Sequence, residues 1–460
     1  MPRHALRVVS VLLLLAAAIL APLIASGYSE MKKASSAGSY LEAARHYRTA
    51  AQRLPWRADL YELAGHAYYH AKEYSQAEAV YQKAYQRAAL SSDGWVAWGD
   101  VLYLDGDPAQ AAQIWEQGLE QENPSETLYS RLSQIYKENG VYSKAAQVLQ
   151  KYVSLHAEDA SARYRLGLLL TLTDPDAALS ELIAASQLDP LLDPAVQTLR
   201  SALNLASLND SASARLVLIG RGLGLVQEWG LARAAFESAV EADEGNAEAW
   251  AWLGESNHHN GRDGGSELER AFELDPNSAT VRGLRGLYFE RSGNFRKALI
   301  EFEAAALRDD KNPAWQVSIG ATYSKLGDLI QALAAYQAAT ALAPEDAQYW
   351  HLLALFCAQN HVNVNTVGIP AAQKAVVLEK DSPASLDLLG WLLLLDERYE
   401  ESERILNQAV GLDPQNASVH LHLGMLDLQM ENRTAAYDHF VRARDLGNTD
   451  AQAILNQYFP

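Results

Sequence analysis

Three pairs of histidines have spacings that could do chemistry. His66 and His70 stand four residues apart, which on a helix puts both imidazoles on one face, as two metal ligands require. His258 with His259, and His420 with His422, invite the same question. Neither His66 nor its neighbours complete an H-E-x-x-H motif, and no third ligand lies nearby, so no metal is expected. The single cysteine, Cys357, excludes an intrachain disulfide and any Cys-based zinc or iron–sulfur centre. It falls on an apolar helical stripe, where a small core residue is a better reading than a nucleophile. The run Gly220-Arg-Gly222-Leu-Gly224 is glycine-rich, but the strand that a phosphate cradle needs before it is absent. Asn209-Asp-Ser211, Asn416-Ala-Ser418 and Asn432-Arg-Thr434 match the glycosylation acceptor, a triplet common by chance. No nucleophile elbow, P-loop or dinucleotide fingerprint is found, so the chain is expected to be no enzyme and to carry no cofactor.

The elements that position these residues are repeated. Trp95-Val-Ala-Trp98-Gly99, Trp250-Ala-Trp-Leu253-Gly254 and Leu386-Asp-Leu-Leu389-Gly390 share one form: a large residue, two spacers, a large residue, then glycine. A second pattern, Ala-x3-aromatic-x2-Ala, follows in Ala77, Tyr81, Ala84, in Ala298, Phe302, Ala305, in Ala332, Tyr336, Ala339 and in Ala436, Phe440, Ala443. The period is 34 residues. Each half has the +3 and +4 spacing of an amphipathic helix, and its Gly or Ala lets two backbones approach. Asp189-Pro190, Asp275-Pro276 and Asp413-Pro414 end second helices, while Gly106, Gly140, Gly293 and Gly327 occupy the turn within a pair. One such pair cannot bury its own apolar face, but stacked pairs can.

This pattern resembles the tetratricopeptide repeat family, whose period and W-x2-L-G…A-x3-F…P spacing it shares. Repeats start near Ala58, Ser92, Glu126, Ala160, Ser213, Ala247, Ala279, Pro313, Ala347, Pro383 and Ala417, after a half-repeat at 38–55. The resemblance implies an all-α fold, a right-handed superhelical solenoid of antiparallel helix pairs. The expected organisation is an N-terminal helix at 1–27, a first array at 28–190, an interrupting helix at 191–212, a second array at 213–447 and a cap helix at 448–460. The turn of the Ala247 repeat is shortened, and that of the Ala347 repeat is lengthened from His361 to Pro370.

The resemblance also implies where partners bind: a concave groove lined by first-helix residues. Carried over by alignment, its early part holds His66, Tyr69, His70, Asp100 and Tyr103, and its middle Arg221, Glu255 and His258. The late part holds Trp391, Leu395, Leu421 and Met425, an apolar set expected to meet on one patch. The family's Lys/Asn clamp for a C-terminal carboxylate is not matched in the first three repeats.

The N-terminus differs in kind. Arg3 and Arg7 precede an apolar run of 18 residues, Val8–Ala25, followed by Lys32 and Lys33. It reads either as a signal anchor or as a cleaved signal peptide with Ala25-Ser26-Gly27 as its site. Its length, close to the thickness of a bilayer, favours the anchor. The slight excess of N-terminal cations places the tail in the cytoplasm and the body outside it. The 460-residue chain carries 38 basic and 57 acidic side chains, and without residues 1–33 the remainder has a net charge of −22. So acidic a body is a poor ligand for nucleic acid. The expected function is a membrane-tethered, non-enzymatic scaffold that binds proteins or peptides along its groove. The alternatives are an accessory factor of an envelope polysaccharide or secretion system that recognises a polymer, or a secreted soluble adaptor released by signal cleavage.

Overall fold

The computed structural model describes residues 3–88 and 90–459, with side chains from residue 18 onward. Among the described residues there is no strand. The chain forms helices α1 (Arg3–Ser35), α2 (Tyr40–Arg53), α3 (Asp59–His70), α4 (Tyr74–Arg87), α5 (Ser92–Leu104), α6 (Pro108–Leu119), α7 (Glu126–Glu138), α8 (Tyr142–Leu155), α9 (Ala160–Leu170), α10 (Pro175–Leu188) and α11 (Asp193–Ser207). They continue as α12 (Ala212–Leu225), α13 (Trp229–Ala242), α14 (Ala247–His259), α15 (Gly265–Leu274), α16 (Ala279–Arg291), α17 (Phe295–Arg308), α18 (Pro313–Leu326) and α19 (Leu329–Leu342). The last are α20 (Ala347–Asn360), α21 (Ile369–Leu378), α22 (Pro383–Leu395), α23 (Tyr399–Leu412), α24 (Ala417–Gln429), α25 (Arg433–Asp445) and α26 (Thr449–Tyr458). Two compact units divide the chain, one of residues 1–208 and 218–234, the other of 209–217 and 235–460.

Local chemistry sets the ends of these helices. Ser91, Asp107, Ser125 and Asp159 cap α5, α6, α7 and α9, each side chain accepting from a backbone N–H of the first turn. Asn246 caps α14 by accepting from both Glu248 and Ala249. In most pairs the turn passes through a left-handed residue, which Gly106 and Gly327 supply at φ +95° and +80°. Lys72, Glu397 and Glu431 take the same conformation without being glycine.

Each unit is a stack of such pairs, and the close approach within a pair explains the sequence pattern. A Cβ at Gly99 of α5 would lie 2.1 Å from the indole nitrogen of Trp115 on α6. One at Gly286 of α16 would lie 2.5 Å from Phe302 on α17. The bare backbone of the first helix is the socket for the large residue of the second, and Trp115, Tyr81, Phe302 and Phe440 are fully or almost fully buried there. Cys357 belongs to the core cluster of α20 to α24, where burial pushes its thiol up to about 11.

Two features add to the expected organisation. The half-repeat at 38–55 is the single helix α2, and it packs antiparallel along the C-terminal half of α1, with Leu54 against Gly27 and His46 bonded to Glu30 at 2.5 Å. The apolar N-terminal helix therefore runs without a break into the first helix pair. The lengthened loop after α20 is also ordered, with a π-helical turn over Val364–Gly368 that leads directly into α21. Among the described residues, no helix is long and apolar enough to cross a membrane. Most of the run Val8–Ala25 lies outside the residues whose side chains are described.

Candidate functional site

In the first unit, first helices α3, α5 and α7 stand side by side and enclose a cleft of about 340 Å³. Three expected groove residues, Tyr69, Asp100 and Tyr103, line it together with Leu104, Arg131, Gln134 and Glu138. Asp100 is buried in the floor, where the guanidinium of Arg131 meets its carboxylate at 2.9 and 3.1 Å. Burial pushes the Asp100 carboxyl above its ordinary range, and Arg131 opposes that shift. Burial, reinforced by the charge of Asp100, pushes the Tyr69 phenol up as well.

The rim of the cleft is different. Glu138 accepts from the Tyr103 hydroxyl at 3.3 Å and from the Gln134 amide at 2.8 Å. Neither donor is a cation. The nearest basic residue in sequence, Lys137, turns away to Glu228 at 2.8 Å. Tyr103 and Leu104 are both exposed, at 42% and 50%. Among the described residues Glu138 makes no ion pair, so the cleft joins a carboxylate held by neutral donors to an accessible aromatic and aliphatic surface. It could hold a cationic side chain and an adjoining apolar one.

His66 and His70 line a neighbouring cleft with Tyr40, Tyr47 and Gly38. His66 bonds to the Tyr81 hydroxyl at 3.0 Å and lies 3.6 Å from Glu62, while His70 packs on the ring of Tyr40. Among the described residues no group of three or more His, Cys, Asp or Glu side chains is arranged to hold a metal ion. Arg221 is exposed on α12.

In the second unit the expected groove residues are more enclosed than their alignment positions suggest. Glu255 is buried, and Arg291 of the following first helix grips both its oxygens at 2.9 and 2.6 Å. It ties two repeats together instead of facing outward. His258 is exposed, edge-on to His259. Of the expected late set, Leu421 is buried, while Trp391, Leu395 and Met425 are half-buried. Leu421 is buried in a cluster with Phe440 and with Ala451 and Leu455 of α26. Leu395 packs against the core of α20 to α24, and Met425 bridges both clusters. Trp391 is half-buried and stacks on His422. The cap helix α26 packs on α25 and continues the cluster to which Leu421 belongs.

Alignment positions missed a ladder of polar contacts between successive first helices. Glu62 accepts from the backbone N–H of Ser91 at 3.1 Å and from its hydroxyl. Asp387 accepts from Ser418 at 2.6 Å and holds His422 at 2.7 Å. Like Asp100–Arg131 and Glu255–Arg291, each of these contacts spans 29 to 36 residues of sequence. An acid on one first helix with a donor about one period later is the signal that could have revealed them.

Family models of the tetratricopeptide repeat match residues 226–267, 319–361 and 383–416. The chain is 24% identical over 186 residues to protein O-mannosyl-transferase TMTC3 of Mus musculus, a stretch covering 40% of this chain and 18% of that protein. Among solved structures it is similar to yeast Tom70, at 15% identity over 96% of this chain and 94% of that one, with a TM-score of 0.40. The Cut9–Hcn1 hetero-tetramer of the APC/C matches at 16% identity over 96% of each chain, TM-score 0.40. YrrB, described as a TPR protein with an unusual peptide-binding site, matches at 17% identity over 41% of this chain and 97% of that one, TM-score 0.33.

Proposed function

We propose that this chain is a membrane-tethered scaffold that captures peptide segments of partner proteins, with the cleft between α3, α5 and α7 as its primary binding site. Tetratricopeptide repeats are typical of protein–protein interaction, and the chain carries them. The observation that carries the reading is the pairing, at one rim, of the Glu138 carboxylate, held by neutral donors, with the exposed Tyr103 and Leu104. The matching ligand is a peptide with Lys or Arg beside an apolar residue. Its cation meets Glu138 and the Tyr103 face, and its apolar neighbour covers Leu104. No chemistry is required of the groove. Capture depends on a preformed surface whose floor is already fixed by the Asp100–Arg131 pair. The apolar run at the start of α1 acts as the tether, with the acidic body outside the cytoplasm.

The test is selection from a displayed random-peptide library on the full chain in detergent, followed by affinity measurements on the variants. Enriched peptides should carry a cation next to an apolar residue. Tyr103→Ala or Glu138→Gln should each weaken binding about tenfold, equivalent to about 1.4 kcal/mol. Enrichment unaffected by both substitutions contradicts the assignment, as does selection of acidic peptides.

A further inference from the structure

Helix α1 changes character within a single turn. From Ala18 to Leu23 every residue is apolar and exposed, on all faces of the helix. From Ile24 onward α1 buries one side against α2: Gly27 and Ala34 are buried two turns apart, and Arg53 donates to Ser26 at 2.5 Å. A helix that is apolar all round cannot be covered by one neighbour; it needs a surrounding apolar medium. No break separates the two parts, so the change takes place along one continuous rod.

The corner after α2 returns to that same level. Leu54 packs on Gly27, and Trp56, two residues further, is 56% exposed. Arg57 faces Tyr28 on α1, besides its pair with Asp59 at 2.6 Å. Tryptophan, tyrosine and arginine at one level, directly beside an all-round apolar segment, are the residue types that populate the headgroup layer of a bilayer. The apolar run from Val8 to Leu23 has 16 residues and a length of about 24 Å, short of a typical hydrocarbon thickness of about 30 Å. Such a mismatch draws the flanking residues toward the membrane.

We infer that the first helix pair stands directly on the phospholipid bilayer, with Tyr28, Trp56 and Arg57 in the headgroup layer and the hydrocarbon beginning at Leu23. This inference rests on the tether reading above and adds to it a rigid footing. The repeats are held at a fixed height with no flexible linker between span and body.

The test uses the full chain carrying Cys357→Ala, so that the introduced cysteine is the one thiol present. Trp56→Cys and, separately, Tyr40→Cys are labelled with an environment-sensitive dye and reconstituted in phosphatidylcholine vesicles. Tyr40 lies at the other end of α2, about 20 Å along the helix from the corner. Flotation of the vesicles reports the tether on its own. The label at position 56 should be blue-shifted and several times less accessible to iodide than the label at position 40. Flotation with equal iodide access at both positions overturns the footing and leaves the tether standing. Failure to float overturns both. Tyr28→Cys, on α1 itself, repeats the measurement should Trp56→Cys disturb the corner, and the same outcomes apply to it.

Discussion

Trp391 lies flat on the imidazole of His422, their ring centroids 4.9 Å apart and their planes 14° from parallel. His422 is held at its ring edge by Asp387, through Nδ1 at 2.7 Å. The aromatic residue most suited to anchor a partner in the second unit is therefore already engaged by the next repeat. Trp391→Ala should destabilise the second unit by about 1–3 kcal/mol, from the lost stacking and the partial burial of the indole. Peptide capture per folded molecule should be unchanged. A thermal melt paired with a binding titration on one variant checks both.

Gly99→Ala should be disruptive although it adds one methyl group, because that methyl would lie 2.1 Å from Trp115, which is wedged in the core and bonded to the Val96 carbonyl. The expected cost is about 1–3 kcal/mol. Gly411→Ala, within α23 and with nothing within 4 Å of the added carbon, is the control. It should stabilise by up to about 1 kcal/mol. Denaturant unfolding of the two variants should give opposite signs.

Burial, with the neighbouring His420 adding to it, holds the His439 imidazole below the ordinary histidine range; Asp438 opposes, and Asp427 lies 3.8 Å away. Burial does the same to His351, against the opposing charges of Glu379 and Asp387. A depressed imidazole stays neutral in the folded chain while the unfolded chain takes up the proton near pH 6.5. Its contribution is therefore intact above that pH and is lost as the pH falls through it. The second unit should lose stability between pH 7.5 and 5.5 (roughly one unit either side of the imidazole value). Replacing both, as His351→Gln with His439→Gln, should flatten that loss when melting temperature is followed against pH.

Much of the fold was legible because its period is written in residue size. First helices begin at Ser92, Glu126, Ala160, Ala247 and Ala417, where the Gly and Ala spacing places repeat starts. The socket at Gly99 and the plug at Trp115 are both visible in the sequence as a small residue and a large one. The partner of the half-repeat helix α2 was not legible, because it is the end of an apolar helix that lacks the repeat pattern. The groove was legible only as a set of positions. Asp100, Tyr69 and Tyr103 do converge, but Glu255 and Leu421 are consumed by neighbours that alignment cannot weigh: a cation one repeat later for Glu255, and the apolar cluster around Phe440 for Leu421. Glu138, left out of the expected set, matters through what fails to pair with it, since Lys137 is drawn to Glu228.

Asp100→Asn should weaken peptide capture without removing it. The substitution takes the charge from the floor and leaves Arg131 unopposed, while the rim made by Tyr103 and Glu138 remains. Adding Arg131→Gln should restore part of the lost affinity, because the floor is then neutral on both sides. A double-mutant cycle of binding constants measures that coupling.

The most direct test of the scaffold reading is site-specific photocrosslinking in intact membranes. A benzophenone side chain in place of Tyr103 lies in the cleft, and one in place of Leu307, exposed on the second helix α17, lies outside it. The account expects discrete protein adducts from position 103, several-fold weaker in Glu138→Gln and absent from position 307. Equal labelling from both positions, or adducts at 103 that are undiminished in Glu138→Gln, would contradict it.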